Sequence, residues 1–256
     1  MCLCGTIMKG LYKNIIINSE IDKTQLAVLI DPDKMKLENV STFIEKVKRS
    51  IATHIFIGGS EVKENIVDAF ITEIKSHTNL PVILFPGDIN QIARNADGIL
   101  FLSLISGRNP EYLIGKQIEA VPKLANTSLE IIPTGYILIE NGKKTSVERV
   151  SETIPMSRSN IDLICDTAKA GEFLGMKLIY LEAGSGATHP IEPKIISKVK
   201  STLNIPLIVG GGIRTKIDLD KAIIAGADVV VIGTAFEEDE TFFEELLKPE
   251  FRVTSN

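Results

Sequence analysis

Pro206-Leu-Ile-Val-Gly-Gly-Gly-Ile-Arg-Thr215, followed by Ala225-Gly-Ala-Asp-Val-Val-Val-Ile-Gly-Thr-Ala235, is the stretch that decides the fold. Each half is a short apolar, β-branched run that breaks at glycine. Buried parallel strands read this way when they end in a loop that must approach something closely. The amides freed after Gly210 and Gly233 can surround one phosphate, helped by the start of a following helix. In a (β/α)8 barrel such a site is built from the loops after strands 7 and 8. The remaining chain should then supply six earlier strands.

It does. Apolar runs at 25–30, 54–57, 81–85, 98–102, 129–132 and 177–181 alternate with stretches of helical periodicity such as Val40, Phe43, Ile44 and Val47. Only roughly ten residues separate the third run from the fourth, too short for a full barrel helix, so one irregular or single-turn connection is expected there. A helix should start near Pro110 and run through Ile114, Ile118 and Val121. Tyr136 to Val147, with Asn141-Gly142, carries a type I′ hairpin signature, and the polar text up to Arg158 reads as an excursion over the barrel mouth. Residues before Gln25 read as a polar lead-in, and Phe236 to Leu247 as the closing helix. The expectation is one modified TIM barrel spanning 1–256, with the helix after strand 3 replaced.

Composition narrows the function. The 256 residues carry a formal charge of −5, with Lys+Arg 28 against Asp+Glu 33, which leaves no electrostatic footprint for nucleic acid. Three cysteines give neither a disulfide framework nor a four-ligand zinc site, and the three dispersed histidines suggest no metal site or triad. The opening Met1 to Met8 lacks a signal-peptide pattern, so a soluble, cytoplasmic protein is expected.

Chemistry should gather at the C-terminal ends of the strands. Asp31 and Asp33 follow strand 1. Beside a hydroxyl such as Ser60, carboxylates suit Mg²⁺, although either aspartate could cap the next helix and Asp33 could pair with Lys34. Glu182 follows a buried strand and precedes Gly184-Ser-Gly186. It reads as a general base, a hydroxyl-binding carboxylate or half of an ion pair. Tyr112 opens the helix after strand 4, where it ends a groove or packs the helix.

Leu29-Ile-Asp-Pro-Asp-Lys34, Phe56-Ile-Gly-Gly-Ser60, Leu84-Phe-Pro-Gly87, Tyr180-Leu-Glu-Ala-Gly-Ser-Gly186, Val209-Gly-Gly-Gly-Ile-Arg214 and Val231-Ile-Gly-Thr234 together resemble the geranylgeranylglyceryl phosphate synthase family. That family includes the PcrB-like heptaprenyl synthases. Asp-Pro-Asp-Lys in place of a Lys-Leu-Asp-Pro opening resembles the archaeal-type and related bacterial branch. The resemblance implies Mg²⁺-dependent transfer of a prenyl group from a polyprenyl diphosphate, geranylgeranyl diphosphate foremost, to sn-glycerol 1-phosphate. By position, it implies that Asp31 and Ser60 hold the metal and that Glu182 and Asp31 serve catalysis. Tyr180, Leu181, Glu182, Ala183, Gly184, Ser185 and Gly186, with Gly211, Gly212, Arg214, Gly233 and Thr234, are implied to bind glycerol phosphate. Tyr112 matches a prenyl-groove position. A homo-oligomer is implied, and transient contact with a membrane surface is compatible with a lipid donor.

Two other readings share the phosphate site. A phosphosugar isomerase or lyase barrel would want an acid–base pair on strands 1 and 5, and a non-catalytic phosphate- or flavin-binding barrel would need no base.

Overall fold

A computed structural model describes residues 10–59, 66–239 and 241–249. Eight parallel strands close on themselves in sequence order, with β1 (Leu26–Ile30) pairing both β2 (His54–Ile57) and β8 (Val229–Ile232). Between them lie β3 (Val82–Leu84), β4 (Gly98–Leu104), β5 (Glu130–Leu138), β6 (Leu178–Glu182) and β7 (Leu207–Gly210). The expected TIM-type barrel is therefore the fold, and its two-residue strand period sorts the core. Ala27, Phe56, Ile83, Tyr180 and Ile208 fill the barrel, while Val28, Ile55, Ile179, Leu181 and Val209 face the helices.

The connection after β3 lacks a full helix, as its length dictates. It holds one 3₁₀ turn, Ile89–Gln91, capped by Asp88. Gln91 is buried and works as a staple: its Nε2 donates to the Gly59 carbonyl at 2.7 Å, and its Oε1 accepts from the Gly87 amide at 3.1 Å. The ends of β2 and β3 are thereby joined without a helix to press them together.

Four expectations need correction. The lead-in is a helix, α1 (Leu11–Glu20), whose Ile15 is buried with the barrel interior, and Glu130 accepts the Tyr12 amide at 3.0 Å. β5 does not stop at Ile132, because Pro133 lacks only a donor and its carbonyl still accepts from Lys177 at 2.8 Å. The hairpin is absent. Ile139 bridges Met156 in parallel, and Thr145 caps a short helix, α5 (Ser146–Ser151). The closing segment is two short helices, α9 (Thr234–Glu238) and α10 (Phe242–Glu245).

The outer layer comprises α2 (Val40–Arg49), α3 (Ile66–His77), α4 (Lys116–Leu124), α6 (Ile161–Phe173), α7 (Pro193–Thr202) and α8 (Lys216–Ile224). A π-helical turn at Glu111–Gly115 leads into α4, as Pro110 suggests, but its buried face is Gln117, Ala120 and Leu124. Ile114, Ile118 and Val121, which the segment runs through as expected, point outward, 56%, 64% and 56% exposed. No helix among the described residues is long and apolar enough to cross a membrane.

Candidate active site

At the C-terminal ends of the strands lies a cavity of about 390 Å³ with two chemically distinct arms. One arm is polar and is bounded by Asp31, Lys34, Gly184, Ser185, Gly211, Gly212, Gly233 and Thr234. The other is apolar and is bounded by Ile89, Ile92, Phe101, Tyr112, Ala120, Val147 and Val150. The apolar residues come from the connection after β3, from β4, from the turn before α4, from α4 itself and from α5. Tyr112 lines this arm and donates its hydroxyl to the Val150 carbonyl at 3.2 Å. This bond ties α5 to the turn before α4.

Glu182 lines the same cavity, against the glycines of the polar side. It is the last residue of β6 and is only 5% exposed. Its Oε1 accepts the Gly184 amide at 2.6 Å. Burial raises its pKa above the ordinary carboxylate range, with Tyr180 and the Gly184 amide pulling partly the other way. The Tyr180 hydroxyl is buried beside it, near enough to favour the ionised form of Glu182 although outside strict hydrogen-bond geometry. Burial also holds Tyr136 and Tyr180 well above a free phenol, so both stay neutral. Phe85, Tyr136 and Tyr180 form an aromatic floor, with ring centres 5.4 Å apart for Phe85–Tyr180 and for Tyr136–Tyr180.

The glycines of the polar arm cannot carry side chains. Gly184, Gly211 and Gly212 have φ of 99°, 83° and 73°, the left-handed region. A Cβ on Gly212 would meet the His189 carbonyl carbon at 2.8 Å, and one on Gly211 would meet Glu182 and the Gly184 amide nitrogen. The loops after β6 and β7 are therefore packed backbone against backbone, and the space they leave is lined by amides. Gly186 donates to the Thr234 hydroxyl at 3.3 Å, and that hydroxyl lies 3.3 Å from the Ser185 Oγ. Such a concave set of neutral donors suits a phosphate.

Asp31 closes the arm on the β1 side, where its Oδ1 accepts the Asp33 amide at 3.1 Å. Lys34 pairs with Asp31 and Glu237, at 3.5 and 3.0 Å, and not with Asp33. A Cβ on Gly59 would come within 2.6 Å of Asp31 Oδ1, so this glycine keeps a cradle open beside the carboxylate. No group of three His, Cys, Asp or Glu side chains is arranged for a metal among the described residues. One aspartate still fits Mg²⁺, which keeps waters and takes its other oxygens from substrate phosphates.

The PcrB family model matches residues 19–250. The chain belongs to the PcrB family. Across 233 residues it is 59% identical to geranylgeranylglyceryl phosphate synthase of Zunongwangia profunda, covering 91% of this chain and 99% of that one. The Flavobacterium johnsoniae protein of the same name is 52% identical over 238 residues, 93% and 98% of the two chains. The structure of (S)-3-O-geranylgeranylglyceryl phosphate synthase from Thermoplasma acidophilum, in complex with its substrate sn-glycerol-1-phosphate, superposes with a TM-score of 0.87 at 31% identity. It covers 93% of this chain and 96% of that one.

In this PcrB-family barrel, most of the residues expected from sequence converge on one cavity. Asp31, Tyr112, Tyr180, Glu182, Gly184, Ser185, Gly211, Gly212, Arg214, Gly233 and Thr234 all line it. Gly186 joins through its bond to Thr234. Leu181 and Ala183 do not: both are fully buried in the outer core, because neighbours of inward-facing strand residues must face outward. Ser60, expected as a metal ligand, lies outside the described residues. Arg214 sits on the rim, its guanidinium donating to the Ala187 carbonyl at 2.5 Å and to Glu238 at 3.3 Å. Sequence reasoning missed Glu237, the partner of Lys34. Its signal was its place on the first helical turns after Thr234.

Proposed function

We propose that this protein is a Mg²⁺-dependent prenyltransferase of ether-lipid synthesis. It joins a polyprenyl diphosphate, geranylgeranyl diphosphate foremost, to the 3-hydroxyl of sn-glycerol 1-phosphate and releases diphosphate. One observation carries the proposal: a polar glycine-rich cradle and an apolar lining share one cavity, with the buried carboxylate of Glu182 beside the cradle. The names of its relatives and the glycerol phosphate bound in the Thermoplasma enzyme support the same reading. A phosphosugar isomerase would have no use for the apolar arm.

In this scheme the amides and hydroxyls around Ser185, Gly186, Gly211, Gly212, Gly233 and Thr234 hold the glycerol phosphate. Glu182 accepts a hydrogen bond from the attacking hydroxyl and takes its proton as the new C–O bond forms at the allylic carbon. The bond from that carbon to the diphosphate oxygen breaks, and the diphosphate leaves with its electron pair. Asp31, with Ser60 by the family resemblance, would hold Mg²⁺, which would supply positive charge favouring this departure. Phe85, Tyr136 and Tyr180 keep bulk water from the allylic carbon, and the arm past Tyr112 takes the hydrocarbon tail. The proposal includes a cytoplasmic homo-oligomer that meets its donor by transient contact with a membrane surface.

The test is incubation with Mg²⁺, sn-glycerol 1-phosphate and labelled prenyl diphosphates of several lengths, followed by extraction into butanol. A labelled phospholipid product is expected. Its absence with every donor would refute the proposal.

A further inference from the structure

The phosphate cradle is built from neutral groups, yet one ammonium is held directly over it. Lys34 Nζ lies 3.2 Å from Ser185 Oγ, 3.0 Å from Glu237 Oε2 and 3.5 Å from Asp31 Oδ2. Ser185 is in turn 3.3 Å from the Thr234 hydroxyl, which accepts from the Gly186 amide. The lysine thus reaches from the end of β1 across to the loops after β6 and β8, and one of its three contacts, the Ser185 hydroxyl, belongs to the cradle.

The other two cations that line the cavity are committed elsewhere, and Lys143 Nζ approaches Gly186 without lining it. Lys116 pairs with Asp88 at 2.9 Å beside the apolar arm, and Arg214 is tied to Ala187 and Glu238. Lys34 is 43% exposed on its side chain, so its flexible stem can pivot without unpacking a core. Without that ammonium, the side chains of Asp31 and Glu237 would confront an incoming dianion with two carboxylates.

We propose that Lys34 is the cationic group that recognises the acceptor's phosphate, and that Glu237 is a positioning residue holding its ammonium over Ser185 and Thr234. The inference rests on the proposed function and names a recognition element within it. When phosphate arrives, Lys34 exchanges its Ser185 contact for a phosphate oxygen and keeps Glu237. Glu237 acts only through Lys34, so it governs affinity for the acceptor and not the chemical step.

The test is calorimetric titration of inorganic phosphate and of sn-glycerol 1-phosphate into the whole protein, for wild type, Lys34→Met, Lys34→Arg and Lys116→Met. Lys34→Met should weaken both ligands by about tenfold or more, since a charge-assisted bond is lost. Lys34→Arg should keep most of the affinity, and Lys116→Met all of it. Glu237→Gln should raise KM for sn-glycerol 1-phosphate severalfold with kcat nearly unchanged, a split that a merely structural role would not produce. Should Lys34→Met fail to fold, Lys34→Gln carries the same prediction. Binding by Lys34→Met within twofold of wild type, or no phosphate binding by wild type, would overturn the inference. Wild-type prenyl transfer is measured alongside. Lys34-dependent phosphate binding without any transfer refutes the proposed function and leaves this inference standing, and transfer with Lys34-independent binding does the reverse.

Discussion

The Gly184 amide donates to Glu182 Oε1 at 2.6 Å, which ties the phosphate loop to the last residue of the strand that precedes it. A carboxylate buried this deeply costs stability when ionised, because Tyr180 and one amide replace only part of its hydration. Glu182→Gln keeps the shape and an acceptor for Gly184 while removing the charge. Prenyl transfer should fall by about 10²- to 10⁴-fold, the range of a lost general base, with the melting temperature unchanged or raised.

The same raised pKa fixes a pH dependence. In the unfolded chain Glu182 ionises at the ordinary value, so the burial penalty appears as pH rises through that value and is complete above the folded one. The stability advantage of Glu182→Gln should therefore be absent in acid and grow across that window, which thermal melts at a series of pH values will read. Wild-type transfer should fall as pH drops through the raised pKa, since the base must be ionised.

Two glycines separate backbone strain from site chemistry. Gly175 and Gly211 have φ of 91° and 83°, but a Cβ on Gly175 meets nothing within 4 Å, whereas one on Gly211 meets Glu182 and lies 2.7 Å from the Gly184 amide nitrogen. Gly175→Ala should cost about 1–2 kcal/mol through its left-handed backbone alone. Gly211→Ala should cost more in denaturant melts and should also lose binding of sn-glycerol 1-phosphate.

Asp31 is predicted to act through Mg²⁺. Asp31→Asn should leave the melting temperature nearly unchanged, because Lys34 retains Glu237 at 3.0 Å. Its transfer rate should stay low at every Mg²⁺ concentration, and a magnesium titration that restored wild-type rate would contradict the role.

The apolar arm predicts donor length. Ala120 lines it and is 5% exposed, so Ala120→Phe should fill the arm and shift preference to shorter prenyl diphosphates. Tyr112→Ala removes the ring and its bond to Val150, and should admit longer ones. Mass spectrometry of products from a donor mixture reads both shifts.

The barrel was legible because buried parallel strands are continuous apolar runs, and the missing helix because ten-odd residues cannot hold one. β5 was misjudged because Pro133 and Gly135 look like strand breakers, although the Pro133 carbonyl keeps its ladder bond. Ile114, Ile118 and Val121 marked the helix by their spacing yet lie on its exposed side, since periodicity reveals an apolar face but not what it faces. In the site, strand-end residues were legible as a class. Leu181 and Ala183 came along only because a contiguous motif hides the alternation of a strand. Glu237 stayed hidden because it works through Lys34, from a different element more than two hundred positions away in the sequence.

The central claim is that the glycerol 3-hydroxyl attacks the allylic carbon within this cavity. The most direct measurement uses sn-glycerol 1-phosphate carrying ¹⁸O in that hydroxyl, with Mg²⁺ and geranylgeranyl diphosphate, and mass analysis of the products. The account predicts that the label appears in the ether linkage of the extracted lipid and that none appears in the released diphosphate. A lipid without the label, label in the diphosphate, or no ether product would contradict it.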